Sequence, residues 1–226
     1  ETKTEAGFLA YLERVQDPGM TRGERNKRFR AWLHNAIIED PDNRMAKLVS
    51  TGNRGSNEHP LTVDMISKSF FANFLNDEPV TDNLASPAYK RDFEIASNVR
   101  LMNYFFDLSL VNWNPKAAAN DQTRVRLERI FSSKSVMAWA EILKDAVCAR
   151  LKIRDEEDRI RPFYRELSEA EWLEIKDTVS RLLTWTFWSA PSDSEIDSQL
   201  ANSKTVLKAW FKDKGLTTGY LMGASE

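Results

Sequence analysis

Apolar residues in this chain recur at helical rather than strand spacing. Phe8, Leu9, Leu12 and Val15 stand at i, i+1, i+4 and i+7 and predict a first helix over 4–16, closed by Asp17-Pro18-Gly19. Thr21, with Glu24 three residues later, spells a capping box for a second helix over 25–38, whose apolar side is Phe29, Trp32, Leu33 and Ile37. A turn over 40–43 then leads into a short helix over 44–50. Thr62 is placed to cap a segment that carries Val63, Ile66, Phe70, Phe71 and Phe74 on one side. Residues 76–87 read as a surface loop.

The segment 88–112 is apolar over much of its circumference, with Phe93, Val99, Leu101, Met102, Phe105 and Phe106, which predicts a helix at the centre of the fold. Asn112-Trp113-Asn114-Pro115 stops it. A helix begins near Arg124, restarts at Ser133, and carries Val136, Ala140, Leu143, Val147 and Leu151. The charged run 154–161 reads as a solvated turn or helix start. Ser168 and Glu171 spell a second capping box before Trp172, Ile175, Val179, Leu182 and Leu183. Ser192 and Glu195 spell a third, followed by one last helix striped by Ile196, Leu200, Ser203, Leu207 and Trp210. Gly215 fits the C′ position of that helix, and the tail 216–222 is apolar enough to dock back on the body. Period-two alternation is nearly absent, with 123–127 the one short suspect. The fold class is all-α, a globular body of about seven to nine helices. It reads as one domain over 1–226, or as two subdomains, 1–115 and 124–226, joined by the polar tract 116–123.

Composition sharpens this picture. With 226 residues, 42% hydrophobic and 29% charged, the chain can bury a sizeable core, and eight glycines with eight prolines suit long helices better than many short strands. A net charge of −2 confines any polyanion contact to a local patch. The single cysteine, Cys148, excludes an internal disulfide and a cysteine-based zinc site, fits a reducing, cytoplasmic setting, and reads as a small core residue on the buried side of its helix. No apolar run reaches the length of about 20 residues that a membrane span needs. A start on Glu1 rather than Met predicts a piece of a longer protein, so other domains of that protein, or a second copy of this chain, are expected partners.

Two stretches are candidates for binding. Arg22, Arg25, Lys27, Arg28 and Arg30 place five cations within nine residues, opposed by Glu24, with Trp32 close by. That pattern suits phosphate neutralisation with an aromatic ring against sugar or base; it equally describes a solvated face answered by acids elsewhere. The second is the loop Gly52-Asn53-Arg54-Gly55 with His59, where glycines free to take positive φ and the helix start behind them offer N–H groups to an anion. The same residues also make an ordinary loop and cap. The aromatic trio Trp185, Phe187 and Trp188 reads as packing first and as a protein interface second.

Enzyme signatures are missing. The two histidines, His34 and His59, have no metal-ligand spacing, and His34 reads as a surface or rim residue. There is no G-x-S-x-G elbow and no Walker loop. The least favoured reading, an enzyme built on His59, Arg54 and Asp64 or Glu94, has geometry as its only test. Neither cofactor nor metal is expected.

The run Gly52-Asn53-Arg54-Gly55, Pro60-Leu61-Thr62, Met65-Ile66, Phe70-Phe71, Arg91-Asp92-Phe93-Glu94, Asn98 and Leu101-Met102-Asn103 resembles the helical region of some bacterial ParB/DGQHR-like proteins over residues 44–114. The Asp-Gly-Gln-His-Arg signature is absent, so no catalytic residue carries over. What the resemblance implies is a bacterial accessory helical domain attached to DNA-related machinery for defence, plasmid maintenance or modification. The expected function is therefore a non-catalytic helical domain that contacts nucleic acid or assembles such machinery. The alternative is a protein-interaction or oligomerisation module that binds no nucleic acid.

Overall fold

The computed structural model describes residues 21–50, 55–56, 58–75, 92–110, 114, 116, 118, 121–153, 162–163, 165–191 and 194–223, apart from a few helical side chains. The expected helix over 4–16, the loop 76–87, the stop at 112–113, the run 154–161 and the Ser192 cap lie outside the described residues.

Helix α1 (Arg22–Ile38) begins at the expected capping box: the Thr21 hydroxyl accepts the Glu24 N–H at 3.3 Å, and Glu24 Oε2 accepts the Thr21 N–H at 2.9 Å. Its carboxyl half buries Trp32, Leu33, Ala36 and Ile37. Asn43 turns the corner after it. Its Nδ2 donates to Ile37 O at 2.9 Å, and its Oδ1 caps a 3₁₀ turn (Arg44–Leu48), where the sequence predicts an ordinary short helix. Two residues that no alternation announces, β1 (Val49–Ser50), pair in parallel with β2 (Leu61–Thr62), matching Val49 to Leu61 and Ser50 to Thr62.

Thr62 then caps α2 (Val63–Ile66) as expected, accepting the Met65 N–H at 3.2 Å. The segment runs through a π turn (Ser67–Phe71) into α3 (Ala72–Phe74). Side chains sustain the looser winding: Ser69 Oγ donates to Met65 O at 2.6 Å, and Asn73 Nδ2 donates to Ser69 O at 2.7 Å. The wider turn lets the successive rings of Phe70 and Phe71 both point inward with Phe74, while Val63, expected on that side, is exposed.

Helix α4 (Asp92–Ser109) packs on α1 and the 3₁₀ turn. The centre of the fold, however, is α6 (Ser133–Arg150), not α4, whose Leu108 and polar Arg100, Asn103 and Asp107 leave one face outside the core. Trp139, Ile142, Leu143, Ala146 and Val147 of α6 have no exposed surface, and Ala138, Ala140 and Ala146 let its neighbours approach closely. Around α6 lie the 63–74 segment, α5 (Gln122–Phe131), α7 (Glu169–Leu183), α9 (Lys204–Asp213) and α10 (Thr218–Met222). The strand suspect 123–127 is thus helical; Asp121 caps α5 by accepting the Thr123 and Arg124 N–H groups. Ser168 and Glu171 form the expected box of α7. Cys148 is half-buried rather than a core residue.

The single last helix that the sequence predicts is two. α8 (Ser194–Leu200) ends, Ala201 and Asn202 turn, and Ser203 opens α9. Gly215, at φ 95°, occupies C′ as expected: its N–H reaches Lys212 O at 3.0 Å and the Leu216 N–H reaches Phe211 O at 2.9 Å, a full Schellman motif. Leu216 and Leu221 then dock fully buried. Trp185 and Trp188 pack with Phe211, so the aromatic trio is mostly core. Buried side chains from Ile37 to Leu221 form one connected cluster. The described body is helical apart from the two-stranded pair, and none of its helices is long and apolar enough to cross a membrane.

Candidate functional site

The amino-terminal half of α1 carries most of the helix's charge. Arg22, Arg25, Lys27, Arg28 and Arg30 against Glu24 leave +4 over nine residues. Thr21, Gly23, Glu24 and Lys27 are exposed, and a Cβ placed on Gly23 would meet nothing within 4 Å. Arg30 is half-buried where α1 meets the body. The side chains of Arg22, Arg25 and Arg28 lie outside the described residues.

Elsewhere on the described surface several arginines are closed by carboxylates. Arg44 grips Asp107 at 2.6 Å, Arg100 grips Glu169 at 2.6 Å, Arg150 reaches Asp177 at 2.8 Å and Arg165 reaches Glu171 at 2.6 Å. Such pairs stabilise little individually, yet each removes a positive group from the field that a polyanion meets.

Of the glycine loop, Gly52, Asn53 and Arg54 lie outside the described residues. Gly55 does not use the left-handed region expected of it. Its requirement is proximity: a Cβ there would lie 2.7 Å from Pro60 O. The loop closes on itself, the Ser56 N–H donating to His59 O at 2.9 Å and the His59 N–H donating to Ser56 Oγ at 3.0 Å. His59 Nδ1 is 2.9 Å from Lys47 O, and because a carbonyl only accepts, Nδ1 carries the ring proton. The helix start behind the loop is served by its own groups, with Thr62 on the Met65 N–H and Asp64 in the first turn, paired with Lys68 at 2.8 Å.

The structure brings a serine to a histidine elsewhere. His34, expected at the surface or rim, stacks on Phe71 with ring centroids 4.2 Å apart, and its Nδ1 lies 3.4 Å from Ser67 Oγ. Its Nε2 is buried without a hydrogen-bond partner. Burial, reinforced by the charge of Arg30, lowers its pKa from 6.5 to about 4. With no acid among the described residues shown to orient the ring, and little basicity at neutral pH, the pair lacks the activation that a nucleophile needs. Of the acids that a site on His59 would need, Asp64 is held by Lys68 and Glu94 is buried in α4. Among the described residues no three His, Cys, Asp or Glu side chains gather as a metal site.

Sequence reasoning passed over one concavity. A groove of about 350 Å³ lies between the turn at Asp40 and Asp42 and the outer face of α4, lined also by Val99, Arg100, Asn103, Tyr104 and Asp107. The recurrence of polar residues at 100, 103 and 107 on an otherwise apolar helix is the signal that marks it. Its cations are paired, Arg44 with Asp107 and Arg100 with Glu169. Asn103 Oδ1 accepts the Arg44 N–H at 3.0 Å and its Nδ2 donates to Asp42 O at 2.7 Å. Hydrogen bonds from Arg100 hold the Glu169 carboxyl below the usual carboxylate range.

Comparison with family models, with curated proteins and with solved structures gives no match.

Proposed function

We propose that this chain is a non-catalytic helical domain that contacts nucleic acid through the amino-terminal half of α1. The observation that carries the reading is charge with exposure: a +4 helical stretch whose described residues Thr21, Gly23, Glu24 and Lys27 are exposed. A helix of this kind lies along a phosphate backbone and releases condensed counterions as it neutralises phosphates. The likeness of residues 44–114 to ParB/DGQHR-like proteins favours DNA as the polyanion and a larger assembly as the setting. The alternative reading is an interaction module; of its aromatic surplus, Trp32, Trp139, Trp172, Trp185 and Trp188 are buried, while Trp210 and Phe187 are half-buried.

Fluorescence anisotropy of labelled duplex and single-stranded DNA across a salt series tests the proposal. Neutralising three to five phosphates gives log K a slope against log salt of roughly −2.7 to −4.5 on duplex DNA. Absence of binding even at low salt, or affinity indifferent to salt, removes it.

A further inference from the structure

The interface between α1 and the π turn passes through one imidazole. His34 lies flat against Phe71, and Ser67 Oγ, at 3.4 Å from Nδ1, is its polar neighbour there. Nε2 is enclosed with no acceptor in reach. The neutral ring suits this setting: an apolar face on an apolar face, with one weak polar contact. The imidazolium does not, because it has two N–H donors and a charge to solvate.

The charges around the ring offer no relief. On its own helix, one turn back, Arg30 adds a like charge. On the facing segment, Asp64 and Lys68 are closed into their own 2.8 Å pair. From α4, the other element packed on α1, the buried charged group is Glu94. Among the described groups only Arg30 acts on His34 electrostatically, and its sign is unfavourable.

We propose that His34 is a proton-released latch, in which a proton on the imidazole detaches α1 from Phe71 and Ser67 of the π turn. The released ring takes its proton at an ordinary 6.5, whereas the docked ring takes it at about 4. Between those values the docked state binds fewer protons, so acidification favours release. The stability that the latch contributes is complete above 6.5 and is lost as pH falls through 4. The contact released belongs to the helix that carries the cation cluster, and the latch operates whatever that cluster meets.

The test is NMR on the full chain from about pH 7.5 to pH 4, following the His34 ring carbons and the exchange protection of backbone amides. His59→Gln leaves one imidazole in the spectrum. The latch requires protection over 30–38 to fall about tenfold per pH unit below 6.5, ahead of the amides of α6, so that roughly a hundredfold is lost by about pH 4.5, before the docked His34 ring titrates near 4. The fall disappears in His34→Gln and in His34→Phe, which keeps the stack without the proton. A fall that persists in both variants overturns the proposal, as does a His34 ring that titrates near 6.5 while protection over 30–38 stays constant. Should either variant fail to fold, the unaltered chain decides alone: loss of protection over 30–38 that sets in below 6.5, with a ring that titrates near 4, supports the latch, and constant protection down to about pH 4.5 overturns it.

Discussion

The guanidinium of Arg100 lies 4.7 Å over the ring of Trp172 while donating to both carboxylate oxygens of Glu169, at 2.7 and 2.6 Å. One side chain thus joins α4 to α7 by a fork and a stack together, and its Nε also donates to the Tyr104 hydroxyl at 2.9 Å. Lysine reproduces the charge but neither the fork nor the planar face. Arg100→Lys is expected to lower stability by about 0.5–1.5 kcal/mol, the range of an exposed pair plus a cation–π interaction. Urea denaturation measures it, and an unchanged midpoint means that the stack contributes nothing.

Two glycines respond to alanine in opposite directions. Gly215 sits at φ 95° with open space where a Cβ would go, so strain rather than collision sets the cost of Gly215→Ala, about 1–2 kcal/mol. Gly23 lies in the first turn of α1 with nothing within 4 Å, and Gly23→Ala is expected to stabilise by up to about 0.5 kcal/mol. Thermal unfolding of the two variants reads both signs.

Trp139 anchors the core from α6. Its indole N–H donates to Ile130 O at 2.8 Å, and its ring stacks on Phe105 with centroids 5.2 Å apart. Trp139→Phe keeps an aromatic ring but leaves a buried carbonyl without its donor, at a cost of about 1–3 kcal/mol. Denaturant titration with an unchanged slope checks it. A loss below about 0.5 kcal/mol would show that water replaces the indole N–H.

Glu141 of α6 holds α9. Burial alone would raise its pKa, but Lys204, with Nζ at 2.8 Å, and Lys208 bring it down to about 2. A depressed carboxylate stabilises the fold above the ordinary value of 4.5, and that contribution fades as pH falls from 4.5 through 2. Because the group is only partly buried, screening limits the effect to about 1 kcal/mol. Glu141→Gln is expected to flatten the acid limb of a stability–pH curve between those values. A limb as steep as in the unaltered chain would assign it to other carboxylates.

What the sequence makes legible here is local. Thr21 with Glu24, Ser168 with Glu171, Thr62 and Gly215 each act within three or four residues, and all four stand where their chemistry places them. Features set by distant neighbours are not legible. The parallel pairing of Val49 with Leu61 spans only two residues and leaves no alternation. The π turn depends on Ser69 and Asn73 satisfying carbonyls in an otherwise ordinary helical pattern. His34 reads as a rim residue until Phe71 is placed against it. The helix break at Ala201 and Asn202 interrupts a stripe that periodicity alone continues through Ser203. At the candidate site, exposure of Lys27 and Glu24 follows from the charge pattern, while the groove beside Arg100 requires the 40–44 turn to be folded onto α4.

The central claim is that the cation cluster of α1 meets phosphate, and the most direct measurement is the salt dependence of DNA affinity after charge reversal. Arg25→Glu, Lys27→Glu and Arg28→Glu, made singly and together, are expected to weaken duplex binding. They are also expected to make the slope of log K against log salt shallower by roughly 0.9 for each phosphate that is no longer neutralised. Affinity and slope equal to those of the unaltered chain in the triple variant would contradict the account.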